Sequence, residues 1–139
     1  MGRCLQRLTV HTRGQGLVEV TDQIVSWLDA LHAGDGLLTV FCRHTSASLL
    51  IQENADPDVR ADLEAFFARI APESRTLYRH DSEGADDMPA HIRCALTQVQ
   101  LSIPVAEGRM VLGNWQGVYL FEHRRAPHRR ELVLHFTAT

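Results

Sequence analysis

The stretch Leu101-Ser102-Ile103-Pro104-Val105-Ala106-Glu107-Gly108-Arg109-Met110-Val111-Leu112 decides the fold class. Apolar residues run on both sides of a Glu-Gly turn signal, so Leu101 to Val105 and Arg109 to Leu112 read as a hairpin. A second hairpin is expected near the N-terminus. There Leu5 to His11 is closed by Arg13-Gly14-Gln15-Gly16 and returns as Leu17-Val18-Glu19-Val20. Val118 to Phe121 and Leu132 to Phe136 complete the strands. Leu37 to Arg43 is apolar on both faces, which suggests a central and covered strand.

Helical signals separate these strands. Thr21 suits the N-cap of a helix from Asp22 to His32, with Ile24, Val25, Leu28 and Leu31 at helical spacing and Gly34 beyond its end. Asp56 caps a second helix whose first residue is Pro57, and Val59, Leu63, Phe66, Phe67 and Ile70 form its core stripe. A short third helix starts near Pro89, capped by Asp86 or Asp87, and turns Ile92, Leu96 and either Cys94 or Val99 inward. The expectation is a single α+β domain over residues 1–139, with mainly antiparallel sheet and about three helices.

Composition narrows the function classes. A hydrophobic content of 45% and a charged content of 22% are those of a globular chain. The formal net charge of −3 argues against nucleic acid as a partner, because that affinity needs many phosphates neutralised. No apolar run reaches the length of a membrane span, and no apolar segment follows a basic start, so no membrane association and a cytoplasmic location are expected. The three cysteines, Cys4, Cys42 and Cys94, form neither a disulfide framework nor a Cys-x-x-Cys zinc knuckle.

Position must choose among the eight histidines. Tyr78-Arg79-His80-Asp81-Ser82-Glu83-Gly84-Ala85-Asp86-Asp87-Met88-Pro89-Ala90-His91 crowds two imidazoles and several carboxylates into a segment with little to bury. His44 follows the apolar run Leu37 to Cys42 and opens the small polar patch Thr45-Ser46-Ala47-Ser48. We read these as two sides of one metal or phosphate site, with His44, His80 and His91 as metal ligands, although their spacing matches no compact ligand motif. Asp86 and Asp87 are explained as well by helix capping, and Asp81 and Glu83 by ordinary loop charge.

Two further stretches carry chemistry. Gly113-Asn114-Trp115-Gln116-Gly117 reads either as a tight turn whose Trp covers the core or as a place where Gln116 offers its amide to the site. In Glu122-His123-Arg124-Arg125-Ala126-Pro127-His128-Arg129-Arg130 a solvated loop accounts for Arg124, Arg125 and His128. Arg129 or Arg130, at the root of the last strand, can instead clamp phosphate, with Thr45, Ser46 and Ser48 adding hydroxyl donors. No Gly-rich phosphate loop and no Gly-x-Ser-x-Gly elbow is present.

These motifs together resemble the YjbQ-like family, proteins also labelled secondary thiamine-phosphate synthases. The resemblance is carried by His44-Thr45-Ser46-Ala47-Ser48, Gln52 to Asp58, Tyr78-Arg79-His80, Gly84 to His91, Gly113 to Gly117 and Glu122-His123-Arg124, and it spans nearly the whole chain. Asn114 departs from the Thr more usual before that Trp. The resemblance implies a compact α+β homotrimer with its polar site near a subunit boundary and a divalent metal on His44, His80 and His91. Zinc suits three imidazoles with an open position, and Mg²⁺ or Mn²⁺ are alternatives.

The implied reaction joins a pyrimidine diphosphate to a thiazole phosphate with loss of pyrophosphate. Thr45, Ser46, Trp115, Gln116 and Arg130 would then bind the phosphorylated substrate, and Glu53, Asp87, Gln116 and Glu122 are the catalytic candidates. The competing expectations are a metal-dependent hydrolase, with Glu53, Asp81 or Asp87 as general base, and a non-catalytic trimeric module that binds metal or a small molecule.

Overall fold

In a computed structural model, residues 4–139 are described. The first three residues of the expected 1–139 domain lie outside them. Eight strands and three helices follow in the order β1 (Leu5–His11), β2 (Gly16–Glu19), α1 (Thr21–Ala30), β3 (Gly36–Cys42), β4 (Ala47–Glu53), α2 (Pro57–Ile70), α3 (Asp87–Leu96), β5 (Gln100–Ala106), β6 (Arg109–Met110), β7 (Gln116–Glu122) and β8 (Arg129–Ala138). They form two antiparallel sheets, one of five strands in the order β1-β8-β3-β5-β6 and one of three in the order β2-β7-β4.

The β5–β6 hairpin forms as its sequence indicates. Glu107 and Gly108 both take positive φ, 52° and 81°, which is what a two-residue hairpin turn needs. Gly108 is required there for space as well, since a Cβ would stand 2.6 Å from the carbonyl oxygen of Ala33. The expected N-terminal hairpin does not form. β1 pairs with β8, and β2 crosses to the other sheet to pair with β7. Burial outweighs the local turn: Leu17 and Val18 find apolar partners beside the doubly covered β7.

β3 is central, flanked by β8 and β5, but only one of its faces is covered. Leu38, Val40 and Cys42 point into the core, whereas Leu37 and Phe41 on the opposite face stay 43% and 42% exposed. β4 is a strand that the polar-looking run after His44 does not announce. It pairs with β7 from Ala47 opposite Glu122 to Glu53 opposite Gln116. The core lies between the sheets, with Ile24 and Leu28 of α1 and Leu31, its C-cap, packed into it.

The helix signals hold with local corrections. Asp56 caps α2, its carboxylate accepting the Asp58 N–H at 2.9 Å. Only Phe67 of the α2 stripe is buried, set edge-on against Phe121 of β7, while Phe66 and Ile70 remain exposed. Thr21 is the first residue of α1 and not its cap. Its hydroxyl donates to Glu19 and accepts the Val118 N–H, stitching α1 to β7. In α3 the inward residues are Ala90, Arg93 and Cys94, and Leu96 faces solvent.

Candidate metal centre at the start of the third helix

The site is built where the chain leaves α2, crosses an irregular segment and enters α3. Gly84 makes the entry with φ of 107°, and a Cβ there would crowd the Asp86 carboxylate at 3.1 Å. Asp86 sits at the N-cap position without capping through its side chain. Its carboxylate instead accepts from Arg124 Nε at 3.0 Å and from the Arg125 N–H at 2.9 Å. Capping therefore does not account for either aspartate.

Asp87, 3% exposed, is the hub. One oxygen, Oδ1, accepts from Arg124 Nη1 at 2.7 Å. The other, Oδ2, lies 2.6 Å from His80 Nε2 and 3.1 Å from His91 Nε2. Asp87 and His91 are one helical turn apart, which stacks them on one face of α3. His80 reaches the same oxygen from the preceding segment, and Glu83 Oε2 stands 3.1 Å from the same imidazole nitrogen.

The two ring nitrogens of His91 face different partners. Its Nδ1 lies 2.9 Å from the Thr45 carbonyl oxygen, which can only accept, so Nδ1 carries a proton. A neutral ring then has a bare lone pair at Nε2, facing a carboxylate that burial makes expensive to leave uncompensated. The contact needs either a shared proton or a cation between the two atoms. The hydrogen bond that His80 donates to Asp87 raises the pKa of His80 above its usual value. Burial pushes the Asp87 carboxyl up, but the His80 hydrogen bond and the Arg124 charge outweigh it and hold it below the usual carboxylate range.

Among the described residues, the His, Cys, Asp and Glu donors that gather within 4.8 Å of one another are those of His80, Asp87 and His91. Two of the three expected ligands are brought together, and Asp87 stands where His44 was expected. His44 Nε2 instead accepts the Glu131 N–H at 2.8 Å, which places its proton on Nδ1, and burial lowers its pKa. The His44 ring lines a groove of about 840 Å³ together with Arg43, Thr45, Ser46 and His91, so it shares the space beside the cluster without joining it.

The comparisons with known proteins agree with this architecture. A family profile described as "UPF0047 protein YjbQ-like" matches residues 6–139. The chain belongs to the YjbQ-like UPF0047 family. It is 53% identical over 128 residues to a UPF0047 protein of Synechocystis, covering 92% of this chain and 87% of that one. It is 47% identical over 127 residues to YjbQ of Escherichia coli O157:H7, covering 91% of each. A YjbQ/UPF0047 structure from Clostridium acetobutylicum superposes with a TM-score of 0.87 at 28% identity, over 95% of this chain and 99% of that chain. A conserved hypothetical protein of Thermus thermophilus gives 0.84 at 37% identity over the same shares.

In this YjbQ-like chain Thr45 touches His91 and lines the groove with Ser46, while the remaining candidates are engaged elsewhere. Glu122 is fully buried, and its carboxylate is taken by Arg130 Nε at 2.8 Å, by Arg130 Nη2 and by Thr12 Oγ1 at 2.7 Å. Arg130 also donates to the carbonyl and hydroxyl oxygens of Ser46, at 3.1 and 3.0 Å. Burial raises the Glu122 pKa, but the Arg130 and Thr12 hydrogen bonds outweigh that and bring it below the usual range. Glu122 and Arg130 are thus engaged with each other rather than free as base and clamp.

Glu53 and Gln116 pair at the far end of β4 and β7, roughly 20 Å of strand from Glu122. Glu53 accepts the N–H groups of Ala55 and Asp56 at 2.9 and 2.7 Å ahead of α2. The Gln116 side chain closes its own turn onto the Gly113 N–H at 2.8 Å, and Trp115, at 65% exposure, covers no core.

Sequence reading missed Arg124, which it left in a solvated loop. The signal was available in the pair Asp86-Asp87 entering an apolar helix, since two adjacent carboxylates that become buried need a cation. It also missed a buried chain in which Thr97 Oγ1 donates to Ser48 Oγ at 2.6 Å and Ser48 meets His123 Nε2 at 2.8 Å. Ser48 and His123 are both 0% exposed, so this pair is a core element and not a nucleophile open to substrate.

Proposed function

We propose that this chain is a metal-dependent enzyme acting on a small phosphorylated substrate. The observation that carries the reading is the contact of Asp87 Oδ2 with two imidazole nitrogens, one of which has its other nitrogen committed to a carbonyl. His80, Asp87 and His91 would hold the ion. Two imidazoles and a carboxylate suit Zn²⁺ with an open fourth position, and they suit Mn²⁺ better than the oxygen-seeking Mg²⁺. When bound, a divalent cation would supply Lewis-acid polarisation of a phosphoryl oxygen.

The protein's own part is positioning. Arg124 fixes the Asp87 carboxylate, and the Thr45 carbonyl fixes the His91 tautomer, two supports of the kind that orient metal ligands. The substrate would lie in the groove along Arg43, His44, Thr45 and Ser46. Joining of a pyrimidine diphosphate to a thiazole phosphate with loss of pyrophosphate is the candidate reaction, and a cytoplasmic location is part of the same reading. So is a homotrimer, supported by Leu5, Leu37 and Phe41, whose apolar side chains stay 45%, 43% and 42% exposed on the five-stranded sheet.

A second reading, a metal-binding module without turnover, is favoured by the engagement of Glu122 with Arg130, which withholds that buried carboxylate from acid or base work. The test is a screen of phosphorylated compounds and diphosphate–phosphate pairs with the Zn²⁺-loaded and the chelator-stripped protein, reading phosphate or pyrophosphate release. Release that depends on metal and disappears in Asp87→Asn supports the enzyme. Metal uptake without release from any compound supports the module.

A further inference from the structure

We infer that Glu83 is an exchangeable fourth ligand of the His80–Asp87–His91 centre, and that the anionic group of the substrate takes its place. The inference rests on the metal reading above and adds a gate to it. His80 Nε2 faces two carboxylate oxygens, Asp87 Oδ2 at 2.6 Å and Glu83 Oε2 at 3.1 Å. One imidazole N–H brings one proton to that corner, whereas a divalent cation would balance both carboxylates. Three protein ligands would leave a zinc ion one position short, and the Glu83 carboxylate, which touches His80 but stands outside the His80–Asp87–His91 cluster, would swing in to fill it.

The two carboxylates are held very differently. Asp87 is 5% exposed at its side chain and fixed by Arg124, while the Glu83 side chain is 64% exposed. His80 is the one partner of the Glu83 carboxylate among the described residues. The Glu83 backbone, in contrast, is anchored, because its carbonyl oxygen accepts from Arg124 Nη2 at 2.8 Å and Gly84 follows with its left-handed φ. An anchored backbone under a free side chain lets Glu83 swing off the centre without disturbing α3. Displacement by a phosphate oxygen would replace one anionic ligand with another, so the cation would keep an anion at that position throughout the exchange.

This predicts two opposite effects of one substitution. Glu83→Gln should bind Zn²⁺ about tenfold more weakly, the scale on which neighbours of a metal act. Once loaded, it should bind inorganic phosphate about tenfold more tightly, because no resident carboxylate competes. Zn²⁺ affinity is read by competition with a chromophoric chelator, and phosphate affinity by calorimetry on the loaded protein, with Asp81→Asn as the control for removing a nearby loop charge. Opposite shifts in Glu83→Gln and neither in Asp81→Asn establish the gate. Zn²⁺ uptake by the wild type with Glu83→Gln unchanged in both affinities, or matched by Asp81→Asn, overturns the gate and leaves the metal site standing. A wild type that takes up no Zn²⁺ overturns both.

Discussion

Asp87 Oδ2 and His91 Nε2 stand 3.1 Å apart on one face of α3 with no proton assigned between them by the neutral ring, because the Thr45 carbonyl has claimed the other nitrogen. A cation entering this contact must displace whatever proton compensates it, and must also displace the proton that Asp87 stabilises on His80. The raised pKa of His80 sets the sign. Zn²⁺ affinity should be full above that pKa and fall as pH drops through it. Titrations at one pH in two buffers of different ionisation enthalpy should show proton release on binding, and identical heats in both would contradict it. In the metal-free protein the His80–Asp87 bond stabilises fully below about pH 6.5 and is lost as pH rises through the His80 pKa.

His123 predicts an acid sensitivity of opposite sign. Its ring is wholly buried, and burial together with the Arg93 charge lowers its pKa to about 3. The unfolded chain takes up a proton near pH 6.5 that the folded chain refuses, so this contribution is complete above about 6.5 and is lost as pH falls. Between pH 7 and 5 the loss from this group is about 2 kcal/mol. His123→Gln should have a flatter urea-unfolding stability over that interval than wild type. The His80 effect is common to both proteins and cancels in the difference. Equal slopes would contradict the assignment.

The fold was legible wherever one local signal and its burial agreed. Glu107-Gly108 demanded positive φ and got a hairpin, and Asp56-Pro57 opened α2 as capping chemistry directs. The N-terminal hairpin failed because a Gly-rich turn fixes only that the chain bends, and the apolar residues of β2 are better buried against β7 than against β1. The site was legible as a set of residue types. Its geometry was not, since His44 is directed by a backbone N–H of distant β8 and Asp87 is placed by Arg124, contacts between residues far apart in sequence. The Gln116 amide was visible as a hydrogen-bonding group, but nothing in the sequence said that its own turn would use it.

The Arg130–Glu122 pair is buried on both sides, at 5% and 0% side-chain exposure. Arg130→Met should cost about 3–5 kcal/mol in denaturant unfolding by leaving a buried carboxylate uncompensated, and adding Glu122→Gln should recover part of that loss. A double variant no more stable than Arg130→Met would show that the arginine acts mainly through Ser46.

Helix α2 supplies an independent check on the local reading. Asp56→Ala removes the acceptor for the Asp58 N–H and should lower stability by about 1 kcal/mol, with Asp56→Ser close to wild type. A cost shared equally by both substitutions would point to the Asp56 charge rather than its cap.

The most direct measurement is the metal content per chain of protein purified without chelator or histidine tag, for wild type, His91→Ala, Asp87→Asn and the control His32→Ala. The account predicts near-stoichiometric divalent metal in wild type and His32→Ala, and its loss in His91→Ala and Asp87→Asn. Metal retained equally by all four proteins, or absent from wild type even after incubation with Zn²⁺, would contradict the centre at His80, Asp87 and His91.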